Sequence, residues 1–282
     1  MNPTQTPRLD QPEPLSRLES LAAVHPAELP SSAQVTFRRF GHGAPLVLLH
    51  GGHGTWKHWA ANIEALAAGH EVWVPDMPGY GDSDDPESNA DFRLLVDAMA
   101  DALDSVFGAT TAIDLAGFSF GGLVAATLAS RRPVRRLALL GSAGHGSARR
   151  EYGPMKNWRA APTPEARRDA LRDNLAAFML CDEASVDATA VAIYEDACVR
   201  TRFRSKGTSL GEGLAQTLAK VDAPTLLIWG DEDVTAAHPE TFVDTLLPGL
   251  DYRFEKIAHA GHWVQWERAA EVNARLVDWF SH

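Results

Sequence analysis

Cysteine is scarce in this chain. The 282 residues hold two, Cys181 and Cys198. Their spacing matches no metal-ligand pattern of the CxxC kind, and an intramolecular disulfide between them is open but unsupported. Both are expected to be reduced thiols. Long apolar runs are missing as well: none approaches the ~18 residues a membrane helix needs. The stretch MNPTQTPRLDQPEP that opens the sequence has no apolar core of the signal-peptide type, which leads to the expectation of a cytoplasmic protein. Basic charge is in deficit, with 26 Lys and Arg against 37 Asp and Glu, a net charge of −11. A non-specific nucleic-acid binder needs the opposite balance. There is no internal repeat and no low-complexity tract.

What remains is an ordinary globular composition, 45% hydrophobic and 22% charged, long enough for one large core plus an insertion. Residues 1–32 are rich in Pro, Ser, Thr and charge, and read as a loosely held arm with one short helix near Pro14–Val24. Regular alternation then begins. Strands are expected at Gln34–Phe40, Pro45–His50, Glu71–Pro75, Thr111–Ala116 and Val134–Leu140. Helices are expected at Trp56–Ala68, Ala90–Phe107 and Gly122–Ser130. After a break the pattern resumes with strand Pro224–Trp229, helix Pro239–Leu247, strand Tyr252–Ile257 and helix Glu267–Phe280. Strands alternating with helices predict an α/β fold, a mostly parallel central sheet with helices on both faces. The break is helical, with segments at Glu165–Leu180 and Ser185–Arg200, and is too long for a simple connection. It reads as an inserted helical lid at 143–212, splitting a core domain of 33–142 and 213–282.

Charge follows the same division. Residues 146–206 carry 11 basic and 9 acidic side chains, and the rest of the chain 15 and 28. Arg200, Arg202 and Arg204 cluster in the insertion. They either coat a solvated surface or supply a cation to a substrate carboxylate.

Gly117-Phe118-Ser119-Phe120-Gly121 has the form G-x-S-x-G, between a predicted strand and a predicted helix. That context turns a weak pentapeptide into a strong signal. A serine on such a turn stands above the sheet at a helix N-terminus, where free N–H groups favour developing negative charge. A serine hydroxyl needs a base, and the base needs an orienting group. Two acids, Asp231 and Asp233, follow the strand Pro224–Trp229. Two histidines, His259 and His262, follow the last strand. The order Ser…Asp…His is one that hydrolases use.

The chain resembles the α/β-hydrolase family over about residues 33–282, in its serine-nucleophile branch with an inserted lid. The resemblance rests on His50-Gly51-Gly52-His53-Gly54, on the run Asp76–Ser83 (DMPGYGDS), on Gly117–Gly122, on Gly230-Asp231-Glu232-Asp233, and on Gly261-His262-Trp263 with Glu267. It implies Asp233 as the acid and His262 as the base. It implies an oxyanion hole from the N–H groups of Gly52 and Phe120. It gives His50, Asp76 and Ser83 structural roles, and needs neither metal nor organic cofactor. His53, Phe118, Trp263 and the three arginines are the candidate substrate contacts. A serine at the elbow, not an aspartate, argues against epoxide or haloalkane chemistry. Three functions follow as expectations. The first is hydrolysis of a small carboxylic ester or related acyl bond. The second, suggested by the similarity of Gly261–Glu267 to the meta-cleavage hydrolases, is C–C hydrolysis of a dienol acid. The third is a ligand-sensing protein with little turnover. The expected partner is a small molecule, not nucleic acid or membrane; the assembly, a homodimer included, stays open.

Overall fold

A computed structural model describes residues 12–246 and 249–282. Residues 1–11 of the expected arm, and Leu247 at the end of the helix expected over Pro239–Leu247, lie outside the described residues.

Eight strands form one sheet: β1 (Ala23–Glu28), β2 (Gln34–Gly41), β3 (Ala44–Leu49), β4 (His70–Pro75), β5 (Ile113–Phe118), β6 (Val134–Leu140), β7 (Thr225–Gly230) and β8 (Tyr252–Ile257). Their order is β1-β2-β4-β3-β5-β6-β7-β8. β2 pairs antiparallel with both β1 and β4, and every pairing from β4 to β8 is parallel. The middle strands are the continuous apolar runs of the sequence, because a parallel strand covered on both faces has no wet side. Alternate residues divide between two cores. Val47, Leu49, Leu115, Leu139 and Leu227 pack with α3 (Phe92–Phe107) and α4 (Phe120–Ala129). Leu46, Leu48, Ala116, Phe118, Leu140 and Ile228 pack on the other face with α1 (Glu13–Leu21), α2 (Ile63–Ala67) and the closing helix Ala269–Phe280.

Two expectations need correction. The sheet begins inside the expected arm, since β1 pairs along its length with β2. Its exposure pattern and Pro26 suit an edge strand, where a missing N–H is tolerated. The single helix expected over Trp56–Ala68 is two pieces, a 3-10 turn at Trp56–Trp59 and then α2. Asn62 at the break turns its amide to Gln265 O (2.9 Å) and Asn273 Oδ1 (2.7 Å), which ties this turn to the chain's last quarter.

Between β6 and β7 the chain carries α5 (Pro164–Phe178), α6 (Ala188–Arg200) and shorter turns. α5 and α6 are capped by Thr163 and Asp187, whose side chains accept helix N–H groups. Leu171, Leu175, Ile193 and Tyr194 join the second core, so this segment packs continuously with the body. Buried Lys57 bridges Glu19 of α1 and Asp196 of α6, each at 3.2 Å. Among the described residues no helix is long and apolar enough to cross a membrane. Neither Cys181 nor Cys198 is in a disulfide.

Candidate active site

β5 ends at Phe118, and the next residue, Ser119, takes φ 53° and ψ −119° before α4 begins at Phe120. This positive-φ backbone is costly for a non-glycine residue and is held by its surroundings. Ser119 donates its N–H to Leu140 O at 2.8 Å. The flanking glycines permit the crossing. A Cβ on Gly117 would collide with Gly121 O, and one on Gly121 would collide with His50 O.

The acid and the histidine arrive from the carboxyl ends of β7 and β8, next to the elbow. His262 Nε2 lies 2.9 Å from Ser119 Oγ, and His262 Nδ1 lies 2.9 Å from Asp233 Oδ2. Asp233 is fully buried, and its other oxygen accepts the N–H (2.7 Å) and hydroxyl (2.8 Å) of Thr235. Burial alone would raise its pKa. The His262 ring and the Thr235 donors outweigh burial and hold it below the usual carboxylate range. Asp231 instead accepts Ala260 N–H at 3.3 Å, and His259 is exposed. The structure therefore brings Asp233 and His262, not Asp231 and His259, to Ser119.

The loop after β3 is gripped at one peptide. Met77 N–H donates to His50 Nε2 (3.0 Å), so His50 Nδ1 carries the hydrogen and donates to Gly51 O at 2.8 Å. Gly51 N–H donates to Nδ1 of His58 at 3.3 Å. Because a peptide unit is planar, holding the Gly51 carbonyl also aims the Gly52 N–H. Among the described residues no protein acceptor takes the N–H of Gly52 or Phe120. The Asp76 carboxylate, fully buried, accepts from Trp56 N, Asp82 N and Arg38, each at 2.9 Å. Ser83 donates to Asp76 O and accepts Thr36 N–H, so this turn is structural.

The candidate substrate contacts fare differently. Phe118 is buried with its ring 5.0 Å from that of His262 and 5.5 Å from His58. Trp263 is a core residue and not a pocket wall: it is fully buried, donates its indole N–H to His58 O, and stacks on Trp266. His53 is exposed; local crowding lowers its pKa and the Arg159 and Lys206 charges add to that. The arginine cluster is mostly occupied. Arg200 pairs with Asp82 and Asp196, and Arg202 with Asp85. Arg204 is exposed, and its backbone N–H donates to Asn89 O. A cavity of about 550 Å³ opens beside His262, lined by Arg150, Phe178, Leu180, Cys181, Glu232 and Val234 among others. Arg150 is paired with Glu232 at 3.1 Å and donates to Asp231 O.

Sequence reading missed Thr235, His58 and Phe178. Thr235 had a signal: an Asp side chain readily accepts the N–H two residues on. His58 and Phe178, whose ring lies 5.7 Å from that of His262, reach the site only through tertiary packing.

Glu267 fastens the histidine loop. It accepts N–H bonds from Cys181 (2.8 Å), Asp182 (2.5 Å) and Gly261 (2.5 Å). Glu267→Ala strands three donors and is expected to lower stability by about 2–4 kcal/mol, with a smaller loss for Glu267→Gln. Urea unfolding checks this; an alanine variant as stable as wild type contradicts it.

Three histidines set an acid limit. Burial lowers the pKa of His50, against the opposing pull of Asp76 and Gly51. Burial lowers His58 further, and the charges of His50, His262 and His53 add to that. Burial takes His145 to about 4, against Asp233. As pH falls, the unfolded chain binds protons near the ordinary value of 6.5 while the folded sites stay neutral. Stability is therefore expected to fall between about pH 7 and pH 5, and His145→Gln to flatten part of that slope. Urea midpoints across this range measure it, and a flat profile contradicts it.

A family model for the alpha/beta hydrolase fold matches residues 44–269, and the chain belongs to that family. It is 30% identical over 260 residues to 2-hydroxymuconate semialdehyde hydrolase of Pseudomonas sp. strain CF600, covering 86% of this chain and 88% of the relative. It is 31% identical over 252 residues to the dihydrolipoyllysine-residue acetyltransferase component of the acetoin cleaving system of Pseudomonas putida. That match covers 83% of this chain and 63% of the relative's longer chain. Among solved structures, esterase RhEst1 from Rhodococcus sp. superposes with a TM-score of 0.74 at 21% identity, over 92% of this chain and 98% of the other. The protein is an α/β-fold hydrolase.

Proposed function

We propose that this hydrolase cleaves a small carboxylic ester through an acyl-enzyme on Ser119. The observation that carries the reading is the hydrogen-bonded line from Asp233 through His262 to Ser119, 2.9 Å at each step. With Nδ1 bonded to the Asp233 carboxylate, His262 presents Nε2 to the serine as a base. His262 takes the Ser119 proton as Oγ attacks the carbonyl carbon. The carbonyl oxygen becomes an oxyanion received by the N–H groups of Gly52 and Phe120. His262 then protonates the leaving alcohol, activates a water, and the acyl group departs as the acid. Residues 143–212 act as a lid over a core of 33–142 and 213–282, with the sheet extended to β1.

Of the residues lining the cavity beside His262, Arg150 is the one Lys or Arg, and it pairs with Glu232. The second reading, C–C hydrolysis of a dienol acid, is favoured by the 30% identity to 2-hydroxymuconate semialdehyde hydrolase. A paired assay separates them: p-nitrophenyl butyrate and a meta-cleavage dienol, each with wild type and Ser119→Ala. The expected result is Ser119-dependent turnover of the ester at the higher kcat/KM. Preference for the dienol selects the second reading, and turnover of neither defeats both.

A further inference from the structure

Two buried hydroxyls that the proposed mechanism does not use, those of Ser205 and Tyr80, stand at the proposed oxyanion loop. Ser205 is 3% exposed, and its Oγ fills the space where Gly52 has no side chain: a Cβ there would lie 2.5 Å from it. The same point would lie 3.6 Å from Phe120 Cβ, so Ser205 stands beside the two residues that carry the proposed oxyanion N–H groups. Tyr80 is fully buried, packed on His50 (4.9 Å between ring centroids) and beside Phe203 (6.0 Å) and Phe120 (6.5 Å). Its hydroxyl makes no well-formed hydrogen bond, and the polar group acting on it is Ser205. Burial drives the phenol well above its ordinary pKa, with Ser205 opposing, so Tyr80 stays a protonated donor.

Ser205 is held there by the arginines that the sequence offered as substrate contacts. Gly81 N–H donates to Arg200 O at 3.2 Å, and Gly79 O accepts from Arg202 N (2.9 Å) and Phe203 N (3.1 Å). Arg204 N–H reaches Asn89 O at 2.7 Å. The Arg200 and Arg202 guanidiniums add ion pairs to Asp82 and Asp85, and Arg202 also donates to Gly81 O and Ser83 O. Residues 200–204 are thus stapled to the turn that follows β4, and the next residue is Ser205.

We propose that Ser205 is a third oxyanion donor, a catalytic residue whose hydroxyl turns toward the substrate oxygen as negative charge develops. A hydroxyl has one hydrogen that rotates and two lone pairs. Ser205 forms no covalent bond: Ser119 Oγ bonds to the carbonyl carbon, its proton passes to His262, and the carbonyl π pair settles on the oxygen that Ser205 faces. This rests on the acyl-enzyme reading above.

The test uses the full chain with p-nitrophenyl butyrate and an alkyl trifluoromethyl ketone, which forms a hemiketal oxyanion on an active serine. Ser205→Ala is expected to lower kcat about 10–100-fold with KM within about twofold, and to weaken the ketone by a similar factor. Ser205→Thr keeps the hydroxyl and is expected to recover most of the activity. Unchanged kcat and ketone affinity in Ser205→Ala overturns the inference while Ser119-dependent turnover keeps the underlying reading. Equal losses in Ser205→Ala and Ser205→Thr assign Ser205 to packing and overturn it as well. No turnover and no ketone adduct in wild type defeats the acyl-enzyme reading and this inference together.

Discussion

Ser119→Ala is expected to lower kcat on an ester by about 10⁴-fold or more, about 5.5 kcal/mol of transition-state stabilisation, in a protein that stays folded. The size follows from the chemistry: without Oγ no acyl-enzyme forms, and His262 can only direct water inefficiently. The retained fold follows from the surroundings. Among the described residues the Ser119 side chain bonds to His262 alone, whereas the elbow is held by backbone, Ser119 N to Leu140 O and Ala143 N to Ser119 O. Alanine keeps those bonds and the same backbone strain. Circular dichroism and urea unfolding check the fold, and steady-state kinetics the loss. Residual activity above about one per cent of wild type would mean that Ser119 is not the nucleophile.

Asp233→Asn is expected to cost about 10³–10⁴-fold in kcat, and Asp231→Asn less than about threefold. The introduced asparagine is nearly the same shape as aspartate, so packing is kept. Its amide would donate toward His262 Nδ1, however, and force the hydrogen onto Nε2, where a base must have a lone pair. Thr235 makes that wrong orientation persistent. Its N–H and hydroxyl both lie within 2.8 Å of Oδ1, so the new amide oxygen settles there and its NH₂ faces the imidazole. The Asp231 carboxylate accepts the Ala260 N–H at 3.3 Å, with no contact to His262 among the described residues. A larger loss at Asp231 than at Asp233 would reverse the assignment.

The local parts of this molecule could be read from sequence. β6 and β8 match the expected Val134–Leu140 and Tyr252–Ile257, and β3, β4 and β7 differ from expectation by a residue at one or both ends. Buried strands such as β3 and β7 carry their signal within six residues, because both faces are apolar. The site residues were legible for a related reason: each stands in a short run with glycines beside it, just past a strand. What escaped reading depends on distant partners. β1 is an exposed edge whose pattern, with Pro26 inside it, carries no alternation, and it becomes a strand only by meeting β2. Whether an arginine is free cannot be read from its neighbours. Arg200 and Arg202 meet Asp82 and Asp85, well over a hundred residues away. Ser205 stands against Gly52 for the same reason, and its sequence neighbours, Arg204 and Lys206, suggest only a solvated turn.

Covalent labelling tests the central claim most directly. Wild-type protein is incubated with a fluorophosphonate, digested, and the adduct located by mass spectrometry, beside His262→Ala and Ser119→Ala. The expected result is one phosphonyl group on the peptide containing Ser119, formed orders of magnitude more slowly in His262→Ala and absent from Ser119→Ala. No adduct in wild type, an adduct on another residue, or a rate unaffected by His262→Ala would contradict it.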